Sequence, residues 1–308
     1  MAGGKILVIR GGAIGDFILT LPVLSALRLQ FPEARLEVLG YQHIARLARE
    51  GGLADDVRSI EARPLAGFFA RGGDLDHALA EYFAGFAVIV SYLYDPDDLF
   101  KSNIARISRA QLIQGPHRPD ESGALHATRA FLQPLERLAI FDADPLPRLT
   151  LPPANGVQSP ATGQWLALHP GSGSEAKNWP EANWAALLRR LVSETGWNLL
   201  LVGGEAEGDR LQQLARQIPE GRGKILQHAP LPAVGRELQR CRAFIGHDSG
   251  ISHLAAAVGL PGVVLWANSN EVIWRPPSPR VQVLRSPAGI AALTVEEVMQ
   301  TLNAYPTA

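Results

Sequence analysis

Short apolar runs, each followed by a polar or glycine-containing loop and then a stretch of helical periodicity, recur along the chain. The first is KILVIR, Lys5 to Arg10, a continuous apolar run of the kind buried on both faces in a parallel sheet. GGAIGD (Gly11 to Asp16) follows as a flexible turn. A helix then runs to about Gln30, in which Pro22 requires either a start near Leu21 or a kink. Ala34 to Gly40 predicts a second strand, His43 to Glu50 a helix and Val57 to Ile60 a weaker strand, whereas residues 62–75, with three glycines, fit no element. Ala87 to Tyr94 reads as the next strand. An Asp-Pro-Asp-Asp loop, a helix over about Leu99 to Ile107, a strand at Gln111 to Gln114 and a helix over about His126 to Leu138 complete this half.

Between Phe141 and Thr162 the texture changes, with Pro145, Pro147, Pro152, Pro153 and Pro160 in a stretch lacking helical periodicity, as expected of a linker. The alternation restarts with a strand at Trp165 to His169. The next helix is opened by Pro180 and carries Trp184, Leu187, Leu188 and Leu191 as one apolar stripe. A strand at Asn198 to Gly204, a polar helix over about Glu207 to Gln217, a strand near Lys224 to Leu226 and a helix at Ala233 to Arg240 come next. Then comes AFIGHDSGISHLAAAVGLPGVVLW (Ala243 to Trp266), which reads as a strand to Ile245, a polar elbow from Gly246 to Gly250, a small-residue helix to Val258 and a strand from Val263. A strand at Val281 to Leu284 and a helix with a Thr294/Glu297 capping box close the chain. Two strand–helix series joined by a proline-rich linker predict an α/β protein of two doubly wound, Rossmann-like domains, 1–155 and 156–308, facing a central cleft. Ligands of such sheets bind beyond the carboxyl ends of the strands, so the loops that follow strands are where chemistry is expected.

Composition narrows the field. A formal net charge of −1 gives no electrostatic case for nucleic-acid binding, and 46% hydrophobic residues in 308 support two cores. The single cysteine, Cys241, excludes an internal disulfide and a multi-cysteine metal site, and eight scattered histidines suggest no zinc site. No signal segment or run of about 20 apolar residues is evident, so a cytoplasmic protein is expected. Peripheral contact with the inner face of the membrane stays open, since loops can touch lipid without a hydropathy signature.

Four loops carry candidate chemistry. Asp16, at a helix entrance, reads either as a cap or as a general base that takes a proton from an incoming hydroxyl. In HPGSGSEAKNWP (His169 to Pro180), Gly171, Ser172, Gly173 and Ser174 can turn donors toward an anion. Lys177, one of only four lysines, adds the full charge of a phosphate clamp. Glu207 offers a carboxylate to a ribose diol, or simply an acidic first helical turn. At the elbow, Asp248 and Ser249 read equally as helix caps or as ligand groups beside Gly250.

GGAIGDFILTLPVLSALR (Gly11 to Arg28), HPGSGSEAKNWP, LLVGGEAE (Leu200 to Glu207) and HDSGISHLAAAVGLP (His247 to Pro261) together resemble glycosyltransferase family 9, the ADP-heptose:lipopolysaccharide heptosyltransferases. The resemblance spans nearly the whole chain. It implies the GT-B fold and an inverting, metal-independent transfer from a nucleoside-diphosphate sugar, with ADP-heptose expected and no cofactor. The acceptor, a glycan or lipid-linked molecule of the cell envelope, is implied to bind the first domain and the nucleotide sugar the second. Carried over by position, Asp16 is implied as the base, Ser172, Gly173, Ser174 and Lys177 as the diphosphate loop, Glu207 as the ribose contact, and Asp248, Ser249, Gly250 and His253 as the donor elbow. The chain departs from the family at Ala267-Asn268-Ser269, where Gly-Pro-Thr is typical, and at His247, where Asn is more usual.

Two other functions compete. A nicotinamide-dependent oxidoreductase would suit two nucleotide-type domains, but Gly11, Gly12 and Gly15 do not form G-x-G-x-x-G and no acidic residue ends the second strand. A catalytically silent nucleotide-sugar-binding protein of the same fold would not need Asp16 and Lys177. Asp95-Pro96-Asp97-Asp98 resembles an acidic metal motif only superficially and reads as a turn that starts a helix.

Overall fold

The strands form where the apolar runs predict them, because a strand covered on both faces needs no polar alternation. A computed structural model describes residues 3–153, 164–204 and 207–303. They divide into two units, Met1–Pro147 and Arg148–Ala308. The expected domain boundary at 155/156 and the later part of the proline-rich stretch lie outside the described residues.

The first unit holds a five-stranded, all-parallel sheet of β1 (Lys5–Arg10), β2 (Arg35–Gly40), β3 (Asp56–Ser59), β4 (Val88–Ser91) and β5 (Gln111–Gln114), in the order β3-β2-β1-β4-β5. Pro22 acts as a start signal: one short helix, Ile14–Ile18, ends before it, and a second, Leu21–Gln30, has it in its first turn, where a missing N–H costs nothing. Leu7, Ile9, Leu39 and Ile89 pack with Phe68, Phe83 and Phe100 on one face of the sheet.

Three expectations for this unit need correction. Residues 62–75 contain a 3₁₀ helix, Arg63–Phe69, and the helix His77–Ala84 that follows was not predicted. Asp76 caps that helix by accepting the Leu79 N–H at 2.9 Å, but Phe83 is its one buried side chain, too little to make a periodic signal. The strand expected over Ala87 to Tyr94 covers only Val88–Ser91, the span that pairs with both neighbours. The helix expected over His126 to Leu138 is α-helical for Ala127–Leu132 and 3₁₀ for Gln133–Leu138, because Pro134 cannot donate to the ladder.

The second unit has a six-stranded parallel sheet of β6 (Trp165–His169), β7 (Asn198–Gly203), β8 (Gly223–Gln227), β9 (Ala243–His247), β10 (Gly262–Trp266) and β11 (Val281–Arg285), ordered β11-β10-β9-β6-β7-β8. Trp184, Leu187, Leu188 and Leu191 of the helix Glu181–Glu194 are all buried against Leu166, Leu199, Leu201 and Val263. At about 1.5–3 kcal/mol for each large apolar side chain, this stripe alone fixes how the helix lies on the sheet. The polar helix expected over Glu207 to Gln217 shrinks to Arg210–Ala215, and a four-residue helix, Glu271–Trp274, was not foreseen. Each sheet reverses its strand order once, between β1 and β4 in the first unit and between β6 and β9 in the second. At such reversals the loops leaving two adjacent strands diverge and open a crevice.

Candidate functional site

In the second unit the crevice gathers residues far apart in sequence. The loop leaving β6 brings Lys177, at the end of the 3₁₀ turn Glu175–Lys177, to within 2.6 Å of the Asp248 carboxylate in the loop leaving β9. Asp248 is nearly buried while Lys177 is about one-third exposed, so the cation retains access to solvent. The same Asp248 oxygen also accepts from the Ser269 hydroxyl. Ser269 stands in the stretch where this chain departs from the family, and it contributes directly to the elbow.

The helix-cap question at the elbow resolves by residue. Ser249 is the N-cap of the helix Gly250–Ala257, its Oγ accepting the Ser252 N–H at 3.4 Å, while Asp248 caps nothing and faces Lys177. His253 is buried one turn into this helix. The elbow begins later than expected, because Gly246 and His247 belong to β9. His247 is fully buried. Its Nε2 accepts the Trp179 N–H at 2.9 Å, and with Nε2 accepting, Nδ1 is the nitrogen that donates to the Gly171 carbonyl at 3.1 Å. One imidazole therefore joins the two ends of the loop that carries Lys177. Burial pushes its pKa down to about 3, so the ring is neutral, as this pair of hydrogen bonds requires.

Within that loop the Ser172 hydroxyl lies 2.8 Å from both the Ser174 carbonyl and the Asn178 side-chain oxygen, which makes it an internal brace. Gly173 and Ser174 are exposed. Glu207 is buried, and one carboxylate oxygen accepts the Gly204 N–H at 2.6 Å. The carboxylate packs so closely on Gly171 that any Cβ there would overlap it. Burial lowers the pKa of nearby His169, whose Nδ1 donates to the Val202 carbonyl at 2.8 Å, while the Glu207 charge works in the opposite direction.

In the first unit, Asp16 lies in the first turn of the helix Ile14–Ile18. Its Oδ2 accepts the Ala13 N–H at 2.9 Å, so the capping role is real. Its Oδ1 lies 3.5 Å from Nη2 of Arg10, and the side chain keeps about a quarter of its surface exposed. One oxygen closes the turn and the other is held by a cation, an arrangement that still leaves lone pairs facing outward. Sequence reasoning passed over Arg10 as the end of an apolar run. A basic residue closing an otherwise apolar buried strand was the signal available. Among the described residues no three His, Cys, Asp or Glu side chains are grouped as a metal ion would require, and no helix is long and apolar enough to cross a membrane.

The model of the family described as glycosyltransferase family 9 (heptosyltransferase) matches residues 147–302, just over half of the chain. The chain belongs to glycosyltransferase family 9. Membership makes it a glycosyltransferase and sets aside the oxidoreductase alternative. A putative glycosyltransferase of Haemophilus influenzae is 26% identical over 290 residues, covering 87% of this chain and 83% of that protein. Lipopolysaccharide heptosyltransferase 3 of Escherichia coli is 24% identical over 297 residues, covering 85% and 83%. The structure of the E. coli ADP-heptose lipopolysaccharide heptosyltransferase II superposes with a TM-score of 0.77 at 20% identity, covering 98% of each chain. This likeness establishes the GT-B fold class expected for family 9.

Proposed function

We propose that this family 9 enzyme is an inverting heptosyltransferase that moves heptose from an ADP-linked donor to a lipopolysaccharide acceptor without a metal ion. Asp16, in the first unit, is the base. It takes the proton of an acceptor hydroxyl as that oxygen bonds to the anomeric carbon from the face opposite the departing diphosphate. The bond from the anomeric carbon to the diphosphate breaks at the same time, and its electron pair leaves with the diphosphate. Lys177 receives the developing charge, with the exposed Gly173, the Ser174 hydroxyl and the Gly250 end of its helix as further donors. Glu207 meets the ribose, and Asp248 with Ser249 and His253 shapes the elbow around the donor.

The observation that carries this reading is the Lys177–Asp248 pair. A lysine presented at the crevice by a carboxylate 71 positions away, with its charge still reachable, is a preset anion site. The donor and acceptor are supported by the names of the relatives, and peripheral membrane contact follows from a lipid-linked acceptor. Titration with ADP, UDP and GDP in EDTA tests the donor half: ADP should bind tightest, and Lys177→Ala should weaken it at least tenfold. Asp16→Asn should bind ADP normally while turnover of ADP-heptose falls by at least about 10²-fold, the usual scale of lost general-base catalysis. Undiminished turnover by Asp16→Asn, or a preference for UDP or GDP, would overturn the corresponding half.

A further inference from the structure

The side chain of Arg10 is only 3% exposed, although it is charged and ends a strand of buried apolar residues. Burying a guanidinium is costly unless its bonds are used, and the desolvation lowers its pKa. Two of its nitrogens reach in different directions. Nη2 faces Asp16 Oδ1 at 3.5 Å, and Nη1 donates to the His117 carbonyl at 2.8 Å. Between them the guanidinium lies over the Phe131 ring, 4.5 Å from its centroid. A single group thus stands between the helix Ile14–Ile18 that follows β1, where it is ion-paired with Asp16, and the loop leaving β5, where it is hydrogen-bonded to His117.

His117 in turn meets a third loop. Its imidazole lies 4.6 Å from the ring of Tyr94, which follows β4, with the two planes tilted by 59°. Tyr94 is 68% exposed, a large bare ring at the point where the strand order reverses. An exposed tyrosine held in place by a second ring, and fixed relative to a carboxylate by a buried arginine, is built as a flat recognition surface.

We propose that Tyr94 and His117 form a stacking subsite for a pyranose ring of the acceptor, set at its distance from Asp16 by Arg10. The C–H face of the sugar covers the Tyr94 ring, while the phenol hydroxyl and the free imidazole edge meet sugar hydroxyls. This assignment rests on the reading of Asp16 as the base that receives the acceptor's proton. A purine could also stack on such a surface, and the test separates the two.

The probe is a de-acylated lipopolysaccharide inner-core oligosaccharide, with ADP titrated in parallel. Saturation-transfer NMR on the wild-type protein should show transfer to sugar C–H protons, lost in Tyr94→Ala and retained in Tyr94→Phe. In turnover with ADP-heptose, Tyr94→Ala and His117→Ala should raise the oligosaccharide KM about tenfold, the scale of one aromatic contact, with kcat within about threefold and ADP affinity unchanged. No oligosaccharide binding to the wild type, or Tyr94→Ala binding as the wild type does, overturns the subsite. Weakened ADP binding by Tyr94→Ala would give the ring to the nucleotide and also overturns it. Asp16→Asn is assayed alongside: full turnover there defeats the base assignment, whereas an inactive Asp16→Asn with a neutral Tyr94→Ala defeats the subsite alone.

Discussion

Replacing His247 tests whether one buried imidazole holds the donor loop in shape. The ring accepts from Trp179, donates to Gly171 and lies edge-on to Trp184 at 5.4 Å. His247→Ala leaves the buried Trp179 N–H without its acceptor, a loss of about 1–3 kcal/mol, and adds the cost of a cavity next to two tryptophans. A total of roughly 3–5 kcal/mol lowers the melting temperature of a unit this size by about 10 °C. His247→Asn, whose amide can both donate and accept, should lose less. The pH dependence follows from burial. The unfolded ring takes a proton near pH 6.5, but the folded ring does so only near pH 3, so between these values the unfolded state binds more protons. The contribution is therefore full above about pH 6.5 and fades as pH falls toward 3, by at most about 1.4 kcal/mol per pH unit. Both variants should show a shallower acid loss than the wild type, with the share due to His169 remaining. Calorimetry from pH 8 to pH 4, with ADP titration at pH 7.5, reads all of this. A His247→Ala protein that melts within about 2 °C of the wild type, with the same acid slope and the same ADP affinity, would refute the argument.

Two glycines give sharper tests of the carboxylates beside them. Gly12 has φ of +94°, and a Cβ there would lie 2.9 Å from Asp16 Oδ2. Gly12→Ala should therefore cost about 1–2 kcal/mol in melting experiments and lower kcat more than donor affinity, because it displaces the proposed base. Gly171→Ala places a methyl group inside the Glu207 carboxylate. ADP affinity should fall about tenfold or more by titration, with circular dichroism unchanged, and normal affinity would remove Glu207 from the ribose contact.

Most strands were legible because parallel strands covered on both faces write themselves as apolar runs, and β1, β5 and β6 coincide with the predicted spans. The helix His77–Ala84 was not, since its position depends on Phe83 meeting Phe68 and Phe100, a contact among three separate segments. The loops that hold candidate chemistry could be found from residue type and order. What each side chain does within them could not. Whether Ser249 or Asp248 caps the helix, and that His247 turns inward, depend on where β9 ends. The pairing of Lys177 with Asp248 depends on β6 and β9 becoming neighbours, and sequence spacing says nothing about that. Arg10 was the clearest omission, because its environment is supplied by Phe131 and His117, more than 100 positions away.

The strand order of the second unit also bears on how the protein is made. Among the described residues β6 is the unit's first strand to leave the ribosome, but it lies inside the sheet, between β7 and β9. One edge of Trp165–His169 can be covered once β7 follows, while the other waits for Ala243–His247. Throughout that interval the nascent chain carries an apolar, unpaired strand edge, the form of backbone most prone to pair with another chain. The first unit repeats the arrangement: β1 lies between β2 and β4, so one edge of Lys5–Arg10 waits for Val88–Ser91. Translation pauses and chaperone contact should therefore matter most while residues 11–87 and 170–242 are being added.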